Sequence, residues 1–144
     1  MDPEKKPIGV VIFGGLNCFF LGFFLLLIFL VTYFTTKPSD LAGALALFEK
    51  KGIAVSLTWQ QFKVMNLIYI ALAFFFIVSG WGLLTKKQWA RKATVYFSFA
   101  WLFLAVFTVV LNPSFIGQIA PYAAYPGFLA IYFTSKKIEK HFGG

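Results

Sequence analysis

Few residues in this sequence have side chains that could do chemistry, and they stand apart from one another. The 144 residues include five acids, one histidine and one cysteine. No acid lies deep within an apolar segment, where proton-coupled transport would need one. His141, which we expect to be a solvated tail residue, and Cys18 have no sequence neighbours that would complete a metal site or a nucleophile–base pair. The sequence therefore predicts a protein that is not an enzyme and that holds no metal or cofactor.

Small residues recur on one face of the first apolar segment. Gly14, Cys18 and Gly22 are spaced four residues apart, so on a helix they form a flat stripe. Such a stripe lets another helix approach closely. The sequence leaves open whether that helix belongs to the same chain or to a partner.

The last apolar segment combines prolines with tyrosines. Pro121 and Pro126 each interrupt the hydrogen-bond ladder of a helix, and Tyr122 and Tyr125 lie between them. One interpretation is a kinked groove at Tyr122, Tyr125 and Pro126 that binds a lipid or a quinone-like ligand. The other is a bent membrane helix with tyrosines near the interface.

Polar residues inside the apolar segments provide a test for transport. They include Asn17, Asn66, Ser98 and Thr108. Convergence of these side chains on one axis would favour a polar path through the protein. Separate contacts would indicate ordinary helix packing by hydrogen bonds.

The composition indicates a protein that is surrounded by a lipid bilayer. Hydrophobic residues make up 60% of the chain, charged residues make up 12%, and the mean hydropathy is +0.80. Soluble domains carry about 25% charged residues. The net charge of +8 arises between the apolar segments, which is typical of membrane topology rather than of a nucleic-acid interface. We therefore predict contact with the lipid bilayer and none with nucleic acid.

The apolar segments predict four membrane helices. The first two are expected at about residues 7–34 and 59–84, the second opening with a Thr58–Gln61 capping box. After Lys92 no charge recurs for 43 residues, about twice what the ~30 Å hydrocarbon core requires. A break at Asn112-Pro113-Ser114 gives spans at about 93–111 and 113–135. The predicted fold is an all-α, antiparallel four-helix membrane bundle, with residues 1–144 forming one transmembrane domain.

The segment between the first two spans has its own helical pattern. Leu41, Leu45 and Phe48 recur at helical spacing, and Ser39 precedes them as an expected N-cap. We predict a short amphipathic helix at about residues 39–51 on the membrane surface, in the first outer loop. The alternative is an ordered loop packed on the bundle.

The lysine and arginine residues predict the orientation. With the N-terminus inside, nine of them lie on the cytoplasmic side and four on the opposite side. Because positive residues of short loops stay in the cytoplasm, we expect a multi-pass protein of the cell (inner) membrane with both termini cytoplasmic.

Three stretches carry a resemblance to a known group of proteins. They are Lys6-Pro7-Ile8-Gly9-Val10, Trp89-Ala90-Arg91, and the run from Tyr132-Phe133-Thr134-Ser135-Lys136-Lys137 to Phe142. In these motifs the chain resembles small prokaryotic four-helix integral membrane proteins of unknown function. The resemblance implies a four-helix fold and a microbial cell membrane, and it implies no activity and no site residues.

These observations favour one function and leave two others open. The first hypothesis is an accessory subunit of a membrane complex, or a protein that associates with itself through its helices. A small transporter or channel is the second, and a membrane protein that binds a lipid or a quinone-like ligand beside the fourth helix is the third.

Overall fold

Helices account for almost every residue whose position is described. The structure is a computed structural model that describes residues 7–50, 56–111 and 116–143. Its helices are α1 (Ile8–Thr35), α2 (Pro38–Lys50), α3 (Trp59–Leu84), α4 (Gln88–Leu111), α5 (Ile116–Thr134) and α6 (Lys136–His141). Within these ranges no strand occurs, which confirms the predicted all-α class.

Three of the described helices, α1, α3 and α4, are long and apolar enough to cross a membrane. The third span was expected from residue 93, but α4 begins at Gln88, so Arg91 and Lys92 belong to the helix and not to a loop. The fourth predicted span, 113–135, corresponds to α5, Ile116–Thr134, which is not one of the three. Its prolines, tyrosines and Gln118 lower its hydropathy. The predicted break at Asn112-Pro113-Ser114 lies outside the described residues.

Local hydrogen bonds explain where two helices begin. The Thr58 N–H donates to Gln61 Oε1 at 2.8 Å, and the Gln61 N–H donates to Thr58 Oγ1 at 3.2 Å, so the predicted capping box of α3 is confirmed. For α2 the prediction that Ser39 is the N-cap is wrong, because the helix already begins at Pro38. The Asp40 carboxylate accepts the Lys37 N–H at 2.8 Å. Proline suits this first position because it has no N–H to satisfy.

A tight turn joins α3 to α4. The Lys87 N–H donates to Gly82 O at 2.8 Å and the Lys86 N–H to Leu83 O at 3.1 Å, which is the pairing of a Schellman motif. Lys86 occupies the left-handed position with a φ of 59°. The turn brings Gly82 against Ala90 and Trp89, since a Cβ at Gly82 would lie 2.5 Å from the Ala90 Cβ.

The chain divides into two compact units. The first unit contains the residues up to Cys18 and those from Val78 onward, and the second contains Phe19–Ile77. In the first unit, the ends of α1, α3, α4 and α5 meet α6 in one apolar core. Its buried members are Val10, Leu83, Ala90, Leu129, Phe133, Ile138 and Phe142.

In the second unit, the rest of α1 lies antiparallel to the start of α3. Phe29 stacks on Tyr69 with ring centroids 4.8 Å apart. Lys63 Nζ lies 5.8 Å from the ring centroid of Tyr33 and 5.3 Å from that of Trp59. This cation is thus held against two aromatic faces, a favourable electrostatic contact.

Candidate functional site

The small-residue stripe brings α1 against α3 within the first unit. A Cβ added at Gly80 would lie 2.8 Å from Gly14 O and 2.9 Å from Cys18 Cα, and it would also meet the Cys18 backbone nitrogen. The two backbones are therefore in direct contact at Gly80. Gly22, the third member of the stripe, is buried and belongs to the second unit. Two of the three stripe residues are thus occupied by a helix of the same chain.

A π-helical segment overlaps this contact at Cys18. Residues Leu16–Phe24 of α1 are π-helical, a wider helix that is rare and often marks functional sites. It begins where α1 passes between two neighbours. Cys18 contacts α3 at Gly80, and the adjacent Asn17 contacts α5. Nothing in the sequence pattern predicted a π-helical segment here.

Asn17 and Tyr125 form the polar link between α1 and α5. The Tyr125 hydroxyl donates to Asn17 Oδ1 at 2.5 Å. Asn17 is only 1% exposed, and its Nδ2 group has no hydrogen-bond partner within the described residues. An unpaired buried amide is costly, so this group is suited to a polar guest or to one more helix contact.

Aromatic rings surround the link between Asn17 and Tyr125. The ring centroid of Phe13 lies 6.2 Å from that of Tyr125 and 5.2 Å from that of Tyr132. Gly9 leaves the space that the Tyr132 ring occupies, because a Cβ there would collide with it. Together, these contacts set α1 antiparallel to α5, with Gly9 beside Tyr132 and Asn17 beside Tyr125.

The predicted ligand groove involves Tyr122, Tyr125 and Pro126. Tyr125 points toward Asn17 and Phe13, and Pro126 is buried. The side chain of Tyr122 lies outside the described residues. A groove that contains all three therefore stays a prediction.

The polar residues chosen as a test for transport make separate contacts. Asn66 Nδ2 donates to Phe62 O at 3.0 Å, Ser98 Oγ to Thr94 O at 2.8 Å, and Thr108 Oγ1 to Leu104 O at 2.8 Å. Each of these three bonds lies within one helix, four residues back. Of the four test residues, Asn17 has the one described bond that joins two helices. This pattern favours packing over a continuous polar path.

Arg91 and Glu139 form an ion pair that the sequence analysis missed. Arg91 is 6% exposed; its Nη1 donates to Phe133 O at 3.0 Å and its Nη2 to Glu139 Oε1 at 2.8 Å. The Glu139 side chain is 45% exposed. One signal was available, since Glu139 is the only acid after Glu49 in the sequence and a buried arginine needs such a partner.

The helix α6 and Phe142 pack against the apolar core of the first unit. Ile138 and Phe142 are buried in the apolar core, and the Glu139 carboxylate holds α6 to α4 through Arg91. His141 is half-buried, and its ring lies 5.7 Å from that of Phe142. The expectation of a solvated tail at His141 is therefore wrong, because α6 packs its apolar side inward.

The described residues offer no cluster for a metal ion. Within residues 7–50, 56–111 and 116–143, no three His, Cys, Asp or Glu side chains come together. Cys18 is buried with a free thiol.

Comparison of the chain with protein-family models, with curated proteins and with solved structures finds no match. The surfaces and contacts described above are therefore the basis for any functional proposal.

The contact at Gly80 generates a prediction about stability. Gly80→Ala would force α1 and α3 apart, since the added Cβ meets backbone atoms that cannot rotate away. We expect a loss of about 1–3 kcal/mol, typical of overpacking, measured by thermal unfolding in detergent. The matched control is Gly15→Ala on α1, where a Cβ meets no atom within 4 Å. The control should be neutral or stabilising by up to about 1 kcal/mol. Equal effects of the two variants would contradict the close contact.

A second prediction concerns the Asn17–Tyr125 hydrogen bond. Tyr125→Phe leaves the buried Asn17 side chain without its described partner, and we expect a loss of about 0.6–2 kcal/mol. Tyr96→Phe is the control, because Tyr96 is 69% exposed. Combining Tyr125→Phe with Asn17→Leu should recover part of the loss, since an apolar pair leaves no unsatisfied group. If Tyr125→Phe behaved like Tyr96→Phe in thermal unfolding, the link would not contribute to stability.

Proposed function

We propose that this chain is a four-span integral membrane protein that acts without catalysis, as an accessory subunit or helix–helix partner within a membrane complex. It lies in the cell membrane with both termini in the cytoplasm, as the lysine and arginine counts of the short loops favour. The lipid bilayer and other membrane polypeptides, including further copies of this chain, are its partners.

α5 serves as the fourth span in this proposal. Its 19 residues give a helix of about 28 Å, close to the ~30 Å of the hydrocarbon core. α5 packs along α4 and contacts α1 through Tyr125 and Tyr132. A helix covered on two sides exposes less surface to lipid, so its tyrosines and prolines are tolerated at lower hydropathy.

α2 serves as a surface helix. None of the residues of Pro38–Lys50 is buried, and Leu47 and Phe48 are exposed. The connection from α1 is only Thr36-Lys37, so α2 stays near the end of α1. An amphipathic helix at that level would lay its apolar side chains into the headgroup boundary.

The observation that carries the proposal is an apolar seam on α4. Five large residues follow one another at spacings of three, four, three and four, and each is 54–71% exposed: Tyr96, Phe99, Phe103, Val106 and Val110. This is the a/d spacing by which helices interlock in coiled coils. The α4 seam, as we name these five residues, therefore has the spacing with which another helix of matching pattern interlocks.

The polar contacts favour this proposal over a transporter or channel. Asn66, Ser98 and Thr108 each bond within their own helix. A path for ions or polar solutes would need such groups to face a shared axis. One observation supports the alternative function of binding a lipid or a quinone-like ligand. It is the Nδ2 group of Asn17 beside Tyr125, which has no hydrogen-bond partner among the described residues.

Photo-crosslinking in the native membrane tests the α4 seam. A benzophenone amino acid replaces Phe103 in the full chain, and after irradiation we expect an adduct with one membrane polypeptide, identified by mass spectrometry. Native mass spectrometry of the gently extracted protein should show the same polypeptide in a fixed stoichiometry. An adduct between two copies of this chain would identify the complex as a homo-oligomer.

The control carries the same probe at Ile131 of α5. Ile131 is 75% exposed, so it is as accessible to lipid as the seam but lies outside it. We expect Ile131 to give lipid adducts without the polypeptide. Lipid adducts alone at both positions, together with a monomer in native mass spectrometry, would contradict the proposed interaction with another polypeptide.

A further inference from the structure

Six lysines crowd one end of the first unit. They lie at the junction of α3 with α4, on the first turns of α4, and on α6: Lys86, Lys87, Lys92, Lys136, Lys137 and Lys140. Their segments share one end, because Leu83, Ala90, Phe133 and Ile138 belong to a single core. We name these six residues the lysine platform.

The platform carries charge that the described residues do not neutralise. Glu139 is the one acid within the described part of the first unit, and it pairs with Arg91. The six lysines therefore leave a formal charge of +6 at this end. The first six residues of the sequence contain two acids and two lysines, so their side chains add no net charge. Such a concentration of positive charge attracts an anionic surface.

Half of the platform depends on how α6 is held. Lys136, Lys137 and Lys140 are exposed, while Ile138 of the same helix is buried in the core. The Glu139–Arg91 ion pair attaches α6 to α4. The three lysines of α6 therefore face away from the core, while the ion pair keeps α6 against α4.

The platform adjoins the ends of apolar helices, where the headgroup region lies in the membrane placement proposed above. The lysines lie within about two turns of the ends of the apolar helices α3, α4 and α5. Trp81 and Trp89, which are 61% and 50% exposed, occupy the same end. Exposed tryptophans favour the boundary between hydrocarbon and headgroups, where the phosphates of lipids would meet the lysines.

We propose that the lysine platform is a binding site for the headgroups of anionic phospholipids, and that the Arg91–Glu139 ion pair assembles it. The site rests on the membrane placement proposed above, but it requires no protein partner. Clustered lysines next to membrane helices bind anionic lipid, each contributing about a factor of five in affinity. The phosphate group is the recognised chemistry, and the lipid is its source, because the exposed tryptophans adjoin the lysines.

Native mass spectrometry of the purified full chain in detergent tests the site with two synthetic lipids. Phosphatidylglycerol, which is anionic, should bind at least tenfold more tightly than zwitterionic phosphatidylcholine. Two triple variants, K86Q/K87Q/K92Q and K136Q/K137Q/K140Q, should each weaken phosphatidylglycerol binding at least tenfold. The control, K37Q/K50Q, removes lysines of the second unit and should change binding less than about twofold.

A variant of the ion pair distinguishes an assembled site from simple electrostatic attraction. E139Q raises the net charge by one, so simple attraction predicts tighter binding of the anionic lipid. If the pair assembles the platform, E139Q should instead bind several-fold more weakly, because α6 is released. I138S releases α6 without changing the charge and should act in the same direction, so the proposal remains testable if E139Q fails to fold.

Several outcomes would overturn the site. Equal binding of the two lipids, or triple variants no weaker than K37Q/K50Q, would remove the platform as a lipid site. Tighter binding by E139Q, with unchanged binding by I138S, would show that the attachment of α6 by the ion pair does not assemble the site. Thermal stabilisation by inorganic phosphate equal to that by the lipid would indicate a site for free anions. Because the assay uses purified protein, failure of the crosslinking experiment at Phe103 would leave these results unaffected.

Discussion

The first unit depends on the direct contact of two helix backbones at Gly80. In the bilayer that we propose as its surroundings, the hydrophobic effect supplies no attraction between helices, so close packing and hydrogen bonds hold them together. Gly14 and Cys18 on α1 and Gly80 on α3 allow this approach. At the same level α1 becomes π-helical, and Asn17 reaches Tyr125 on α5. One crowded level of α1 thus fixes its distance to two neighbouring helices.

Polar and charged groups tie together segments that are far apart in the sequence. Tyr125 bonds to Asn17 across 108 residues, and Arg91 bonds to Glu139 across 48. Such bonds are stronger where water is excluded, and the same exclusion penalises a group that loses its partner. Asn17 and Arg91 each combine deep burial with a long-range partner. These pairs therefore specify which helix ends meet, in addition to their contribution to stability.

The sequence predicts what depends on local signals and misses what depends on distant partners. The Thr58–Gln61 capping box was predictable, because its residues are three positions apart. For the Arg91–Glu139 pair the sequence offers one signal, the scarcity of acids after Glu49, because no local pattern relates Glu139 to α4. α6 was missed because six residues are too few to display periodicity. Gly14 and Cys18 stand against Gly80 in the structure, but no local pattern in the sequence names Gly80 as the opposite residue.

One positive charge in each unit is satisfied by folding, and the two are satisfied in different ways. In the second unit, Lys63 lies against the rings of Tyr33 and Trp59, so folding satisfies this cation at an apolar boundary. In the first unit, Arg91 is satisfied by Glu139 and by the Phe133 carbonyl. The platform lysines have neither arrangement among the described contacts, although they adjoin the same core. Charge that folding leaves uncompensated must be balanced from outside the chain, and in the membrane setting that we propose the nearest dense source is the layer of lipid phosphates.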